Sequence, residues 1–533
     1  MLHRIVAAVR RELPQFNHEL LVDLREREVA NLIEFVAERY RELALVADTN
    51  LVLLDYRVLS PIERVRYELD NSIRKNQVNI RDDEAILVNY NFKYYDTTFP
   101  VMLYIPYIYE NSSIVVGGTN VECLLNMTEK LFSVRSTSSG ITIKVIRSPV
   151  SFFANTVTNF VDVVTGKLFV ENIVSCKIYY KKTPATKKAK PTIIHYLLCK
   201  FTLPEVLGKF GLPPNAITFV EHETPVEGYY YFKTKPVSTN KDQIFLKVPI
   251  ELMLNQRMLR DIVAALIYLM MSFRTIMFAE LIVNSRMVFS ILLGKLLHGV
   301  NTDRLRALSF MEKHIESVDT HLDKYTRDIF VANGYRVNDI YDVFVIVAET
   351  IGKIIISHPN NNMYNKRLEA VNNIIIDQLM QALYNRIYKY EKKKDNIVLM
   401  TQAIKKAIKV HEKHILKTLS NGDSVKKNPS NYGDNWLLTI GDKVVKRLSA
   451  ANKTQQNRKS HGSGITAQVN KFHTSMMVIE SAIGFSSKPG QNCLINPYAQ
   501  IDDNGGFIYD TSNEEVTSIT KYLANDSVTI QGK

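Results

Sequence analysis

Apolar residues at helical spacing, mixed with charges, run from about residue 15 to 75, as in LLVDLREREVANLIEFVAERYREL, and predict helix there. From Ala85 the texture changes. The stretches ILVNYNFKYY, FPVMLYIPYIY and SSIVVGGTN alternate or run apolar, carry β-branched and aromatic residues, and end in turn signals. Gly117 and Gly118 predict a tight turn between strands. Further strands are expected in GITIKVI and GKLFVENIVSCKIYYKK. The Lys-rich KKTPATKKAKP, with Pro184 and Pro191, reads as an exposed loop. PTIIHYLLCKFTLPEVLGKFGL predicts two short helices broken at Pro204, and Tyr229 to Val248 returns to strands. From about Glu251 to Leu419 the pattern is mainly helical. From Asn421 onward Gly, Asn and Ser separate short strand-like runs. No internal repeat is visible. The fold class is α+β: mixed sheets with a largely helical middle. Three parts are expected, at 1–150, 151–400 and 401–533.

Length and composition sharpen this reading. With 533 residues, 46% of them hydrophobic, the chain can bury several cores. The most apolar run, Ile262 to Phe273, closes at Arg274 after twelve residues. A bilayer span takes about 20, so a buried helix is expected. Charges interrupt the opening MLHRIVAAVRRELP too soon for a signal-peptide core. Cys123, Cys176, Cys199 and Cys493 form no CxxC pair and fit no zinc spacing. Reduced, mostly buried thiols in an intracellular, soluble chain are expected, with no membrane partner.

The net charge of +13 favours an anionic partner. Residues 391–461 hold 16 Lys+Arg against 6 Asp+Glu, so this stretch carries most of the excess. Lys405, Lys406, Lys409, Lys413 and Lys417 fall on adjacent faces of one expected helix. That helix is either a solvated face or a phosphate-binding surface.

Motifs for stand-alone chemistry are missing. No phosphate loop exists; Gly352-Lys353 lacks the upstream glycine and the following hydroxyl. His411-Glu412-Lys413-His414 has the wrong spacing for a metal helix. Asp82-Asp83 and Asp502-Asp503 are adjacent carboxylates that read as turns, and two-metal nucleotidyl transfer needs clustered ones. A basic chain without a catalytic centre reads as part of something larger.

From Lys446 the tail begins KRLSAANKTQQNRKSHGSG. It continues through His473, Ile479-Glu480, Gly490, Asn492, Leu494-Ile495-Asn496, Tyr498-Ala499, Asn504, Gly506-Phe507-Ile508 and Tyr522-Leu523. Each piece is short, but their order over nearly 80 residues resembles the fork-loop region of the β subunit of multisubunit DNA-dependent RNA polymerases. Ile105-Pro106 with Gly117-Gly118-Thr119, and SSGITIKV before the KPTIIHYLLCKFTLPEVLGKFGL helices, resemble upstream β segments in the same order. Arg147-Ser148-Pro149 mimics a β motif out of order. There are departures: Pro489 stands where cellular β has an acidic residue, extra residues separate Glu480 from Asn492, and Asn452 to Gly464 replace the glycine-rich fork motif.

The resemblance implies the N-terminal half of a β subunit split as in φKZ-like giant bacteriophages, the non-virion type being favoured. The first part and the tail would form protrusion and fork, and the middle the lobe. Lys446, Arg447, Lys453, Arg458 and Lys459 would meet phosphates along the RNA–DNA hybrid and fork. Ser449, His473, Glu480 and Asn492 either face substrate or satisfy buried loops; Gly490, with Gly462 and Gly464, would let backbone approach nucleic acid. No residue here would be catalytic, and no cofactor or metal is expected on this chain. Mg²⁺ would be held by a β′-like partner. Expected partners are a C-terminal β-like chain, N- and C-terminal β′-like chains, template DNA and transcript, with room for a promoter-specificity subunit. The place of work would be the infected cell. A virion structural protein, which leaves the ordered tail unexplained, and a replication accessory factor, which predicts tight nucleic-acid binding by the isolated chain, are the alternatives.

Overall fold

A computed structural model describes residues 32–47, 50–75, 84–107, 113–116, 119–123, 125–135, 140–143, 150–178, 190–220, 225–233, 245–271, 286–319, 322, 324–357, 363–369, 383, 397–408, 415–416, 425–427, 443–446, 480–482, 492–495, 502 and 505–508. In chain order the elements are α1 (Leu32–Ala47), β1 (Leu51–Val58), α2 (Pro61–Lys75), β2 (Ala85–Tyr94), β3 (Thr97–Pro106), β4 (Ser113–Val116), β5 (Thr119–Cys123), β6 (Leu125–Glu129), β7 (Phe132–Arg135), β8 (Gly140–Ile143), β9 (Val150–Val161) and β10 (Leu168–Lys177). They continue with α3 (Ile193–Lys200), α4 (Leu203–Lys209), β11 (Thr218–Val220), β12 (Tyr229–Lys233), β13 (Phe245–Pro249), α5 (Ile250–Asn255), α6 (Arg257–Met271), α7 (Arg286–His298), α8 (Arg304–Asp319), α9 (Lys324–Ala332) and α10 (Ile340–Ser357). Last come β14 (Lys366–Glu369), α11 (Ile397–Ile408), β15 (Val425–Lys427), β16 (Lys443–Lys446), β17 (Glu480–Ala482) and β18 (Asn492–Ile495). The mixture of helix and sheet is the expected α+β class. The chain divides into two compact units: Met1–Lys130 with Asn360–Lys533, and Leu131–Pro359.

In the first unit, α1 buries Leu32, Val36, Ala37, Tyr40, Leu43 and Ala44, a stripe at helical spacing. It packs on the antiparallel sheet β1-β2-β3, where Tyr40 meets Tyr90 and Phe92 with ring centroids 5.3 and 5.2 Å apart. Arg64 of α2 ties that helix to the sheet. Its guanidinium donates to the Ala85 carbonyl at 2.6 Å and to Glu68 at 2.9 Å, while the Tyr104 hydroxyl donates to the same carboxylate at 2.9 Å. β1 corrects the sequence reading, which ran helix through residues 51–58. Leu51 and Leu53 are buried and Val52 and Leu54 exposed, a period of two, and β1 satisfies its backbone by pairing with β2. A short Leu/Val run of this kind fits either period until a partner strand decides.

The second unit holds the antiparallel sheet β10-β9-β8-β7 and the small sheet β11-β13-β12, with helices α3 to α10. Ile193 to Cys199 are buried all round α3, which is the mark of a core helix. Ile262 to Ile267 of α6 are likewise buried, as expected of the apolar run. A Cβ on Gly294 of α7 would strike the Ala307 carbonyl of α8, so glycine sets how closely these helices approach. Pro204 does not break the helix pair. It sits in the first turn of α4, where its missing N–H costs nothing, and the chain bends at Phe201-Thr202. Cys176 and Cys199 are buried free thiols. Burial pushes both thiol pKa values up, Cys199 to about 12, so both are unreactive.

β6, β7, β9 and β11 were not foreseen, nor was β14, inside the stretch read as helical. In β9 the alternation is blurred: Thr156 and Thr158 face inward with Phe152 and Phe160, while Val157 and Val161 face outward. Residues 15–31, Asp82-Asp83, Gly117-Gly118, Arg147-Ser148-Pro149, the Lys-rich loop from 181 to 189 and His411 to His414 lie outside the described residues.

His195 caps α3 from inside the core. Its Nδ1 accepts from the Thr192 amide at 3.1 Å, the Thr192 hydroxyl accepts from the His195 amide at 3.2 Å, and its Nε2 meets the Ala265 carbonyl at 2.8 Å. Nδ1 as acceptor and Nε2–H as donor is the neutral tautomer. Burial pulls the pKa down to about 4. The unfolded chain therefore takes up this proton first as pH falls. Stability is full above about pH 6.5, falls between there and pH 4, and levels off below, a loss of about 3 kcal/mol for this group. His195→Gln keeps an acceptor for Thr192 and a donor for Ala265. Denaturant unfolding of wild type and variant from pH 4 to 7 is expected to give curves that converge at low pH.

Candidate nucleic-acid interface

Three of the sequence-predicted residues lie on strands of one sheet of the first unit, with strand order β14-β6-β16-β18-β17. Its strands come from three regions of the chain. β16 lies parallel to β6, with Val444 beside Leu125 and Lys446 beside Met127. It lies antiparallel to β18, with Lys443 beside Leu494 and Val445 beside Asn492. β18 in turn pairs with β17, Glu480 beside Ile495. Three candidate residues thus sit on one sheet: Lys446 ends β16, Glu480 opens β17 and Asn492 opens β18. Arg447, Ser449, Lys453, Arg458, Lys459, His473 and Gly490 lie outside the described residues.

β14 closes the sheet where the second unit is inserted. Lys366 pairs with Glu129 in register, and their side chains form an ion pair at 3.1 Å. The Lys130 amide donates to the Asn365 carbonyl at 2.7 Å. The chain therefore leaves this sheet at Lys130 and regains it at Lys366 through adjacent backbone.

The Gly-Phe-Ile segment seals the outer side of β14. The Leu368 amide donates to the Gly505 carbonyl at 2.7 Å, and the Phe507 amide to the Lys366 carbonyl at 3.3 Å. Asp502 makes the turn as its sequence predicts. Its Oδ1 accepts from the Gly506 amide at 2.7 Å, and its carbonyl accepts from the Gly505 amide at 2.9 Å. Lys130 reaches across to donate to the Phe507 carbonyl at 3.0 Å. Burial pulls its pKa down, opposed by the nearby Asp502 carboxylate. The structural roles of Lys130, Lys366 and Gly505 were missed. Only the Asn-Gly-Gly turn signal pointed toward one of them.

Beside this unit's first sheet, Lys405 and Lys406 of α11 are exposed on the face opposite buried Ala403, Ile404, Ala407 and Ile408. Lys405 also lies over the Phe99 ring, 5.7 Å from its centroid. Lys409, Lys413 and Lys417 lie outside the described residues. Among the described residues no group of three or more His, Cys, Asp or Glu could hold a metal ion, and no helix is long and apolar enough to cross a membrane.

The sheet therefore brings together Lys446, Glu480 and Asn492 to Ile495 of the tail, with Gly506 bridged to its β14 edge. The model of a known family, described as the non-virion RNA polymerase subunit, matches residues 3–518. The chain belongs to the non-virion RNA polymerase subunit family. No curated protein matches it. As a non-virion RNA polymerase subunit it is part of a transcribing enzyme, acts with other polymerase subunits and nucleic acid, and works in the infected cell.

Gly505 is the conformational keystone of the sheet's seal. Its φ is +78°, and a Cβ there would strike the Leu368 carbonyl. Gly505→Ala is expected to destabilise the first unit by at least ~2 kcal/mol, with faster proteolysis of the full chain near this turn. Ile508→Ala, at a position 43% exposed, is expected to leave both measurements near wild type.

Proposed function

We propose that this subunit is the N-terminal half of a split polymerase β subunit, forming one wall of the DNA and RNA–DNA hybrid cleft. The observation that carries the reading is the gathering of Lys446, Glu480 and Asn492, from the β-like tail, onto one sheet with β6 from the first part of the chain. The first unit, discontinuous in sequence, is the protrusion and fork; the inserted second unit is the lobe. The chain beyond Lys446 carries Arg447, Lys453, Arg458 and Lys459 from the end of a strand in this sheet to the phosphates of the hybrid and fork. Phosphate contacts suit an enzyme that transcribes any sequence, because they read no base. Ser449, His473, Glu480, Gly490 and Asn492 shape the fork around them.

Chemistry belongs to other chains in this reading. In this reading Mg²⁺ and the aspartates that hold it belong to a β′-like partner. A C-terminal β-like chain completes the subunit. Partner and nucleic acid together account for the basic excess of residues 391–461.

Assembled polymerases carrying Arg447→Ala or Arg458→Ala test the assignment. Each is expected to shorten the lifetime of elongation complexes at moderate salt and to reduce the salt-dependence slope of nucleic-acid binding by about 1. Wild-type elongation and an unchanged slope in both would remove the cleft assignment while leaving the family intact.

A further inference from the structure

The β9–β10 hairpin of the second unit is apolar on its outer face as well as its inner one. Cross-strand register sets Val161 beside Leu168, Asn159 beside Val170 and Val157 beside Asn172. All six face outward. The four apolar side chains are 47–59% exposed, whereas Thr156 and Thr158 point inward, and their buried hydroxyls have no hydrogen-bond partner. A strand with one face in water normally presents polar residues on that face. The outward face carries no charge in a chain of net charge +13, so it offers nothing to a phosphate.

The face is also rigid. Below it Phe160 and Phe169 stack at 5.5 Å, and both meet Phe232 edge-on, at 5.0 and 5.4 Å. The turn is locked by buried Asp162. Its Oδ2 accepts from the Thr165 amide at 2.7 Å and hydroxyl at 2.6 Å, and its Oδ1 accepts from the Tyr231 amide at 2.7 Å. β10 is the outer strand of its sheet among the described residues. A preorganised, uncharged, apolar surface on an edge hairpin loses little entropy when it is covered.

We propose that this outward face is a docking surface for another polypeptide of the same polymerase, one presenting an uncharged, apolar patch. The inference rests on membership of a subunit family, which requires protein partners, and not on the cleft assignment of the tail. It explains the apolar outer face: the valines outside are interface residues, and the water-facing pattern is absent because water does not face them in the assembled enzyme.

The test uses the full chain, tagged and produced in infected cells, recovered with the assembled polymerase. Val161→Lys with Leu168→Glu places opposite charges on directly paired positions, which leaves the hairpin able to close. Its thermal unfolding is expected to match wild type, with recovery in polymerase falling roughly ten-fold. In a second arm a benzophenone side chain replaces Asn159, and irradiation of the purified enzyme is expected to join it to a different polymerase chain. Wild-type recovery of the charged variant overturns the proposal, as does crosslinking to nucleic acid, to a second copy, within the chain, or to nothing. If the charged variant fails to fold, the crosslinking arm decides alone. Failure of the wild-type chain itself to co-elute with transcription activity would remove the polymerase reading and this proposal together.

Discussion

The first unit can contain a second one only because β6 and β14 lie side by side. The Glu129–Lys366 ion pair and the Lys130–Asn365 backbone bond hold the exit and the return of the chain together. The ion pair is mostly shielded from water, its side chains 18% and 12% exposed, and it is reinforced by ladder hydrogen bonds on both sides. Without that closure, β6 would lose an edge partner, the Gly505–Phe507 segment would lose the strand it seals, and β16 would join a sheet with an open side. Unpaired backbone in such a place costs more than any single side-chain contact could return.

Much of this was legible in the sequence where one physical signal dominated. The buried α6 followed from a long apolar run too short for a bilayer. β2 and β3 followed from alternation bounded by turns. The turn at Asp502 followed from carboxylate and glycine chemistry. β1 and β9 were not legible, for different reasons. Leu51 to Val58 is compatible with two periods, and pairing with β2 decides. β9 carries apolar residues on both sides and threonines at two inward positions, so no clean alternation marks it. β14 is four residues long, two of them basic, and is a strand only because β6 lies beside it.

The candidate site was legible as order rather than geometry. Lys446, Glu480 and Asn492 were grouped by the succession of tail motifs. Long-range pairing with β6, more than three hundred residues earlier, leaves no local trace, so the role of Leu125–Glu129 stayed hidden. The same holds for Lys130, whose bond to the Phe507 carbonyl joins positions 377 residues apart. Family membership fixes what kind of machine the chain serves.

The re-entrant connection at Lys130 also sets an order of events during synthesis. The inserted unit is complete once Pro359 has left the ribosome, and it can close its own core at once. The outer unit must wait for β16 and β18. At common translation speeds that delay is on the order of ten seconds, during which β6 stands with its neighbours unmade. A nascent chain of this design exposes strand edges for as long as the insertion and tail take to emerge. The open edges in that interval belong to the outer sheet and not to the insert.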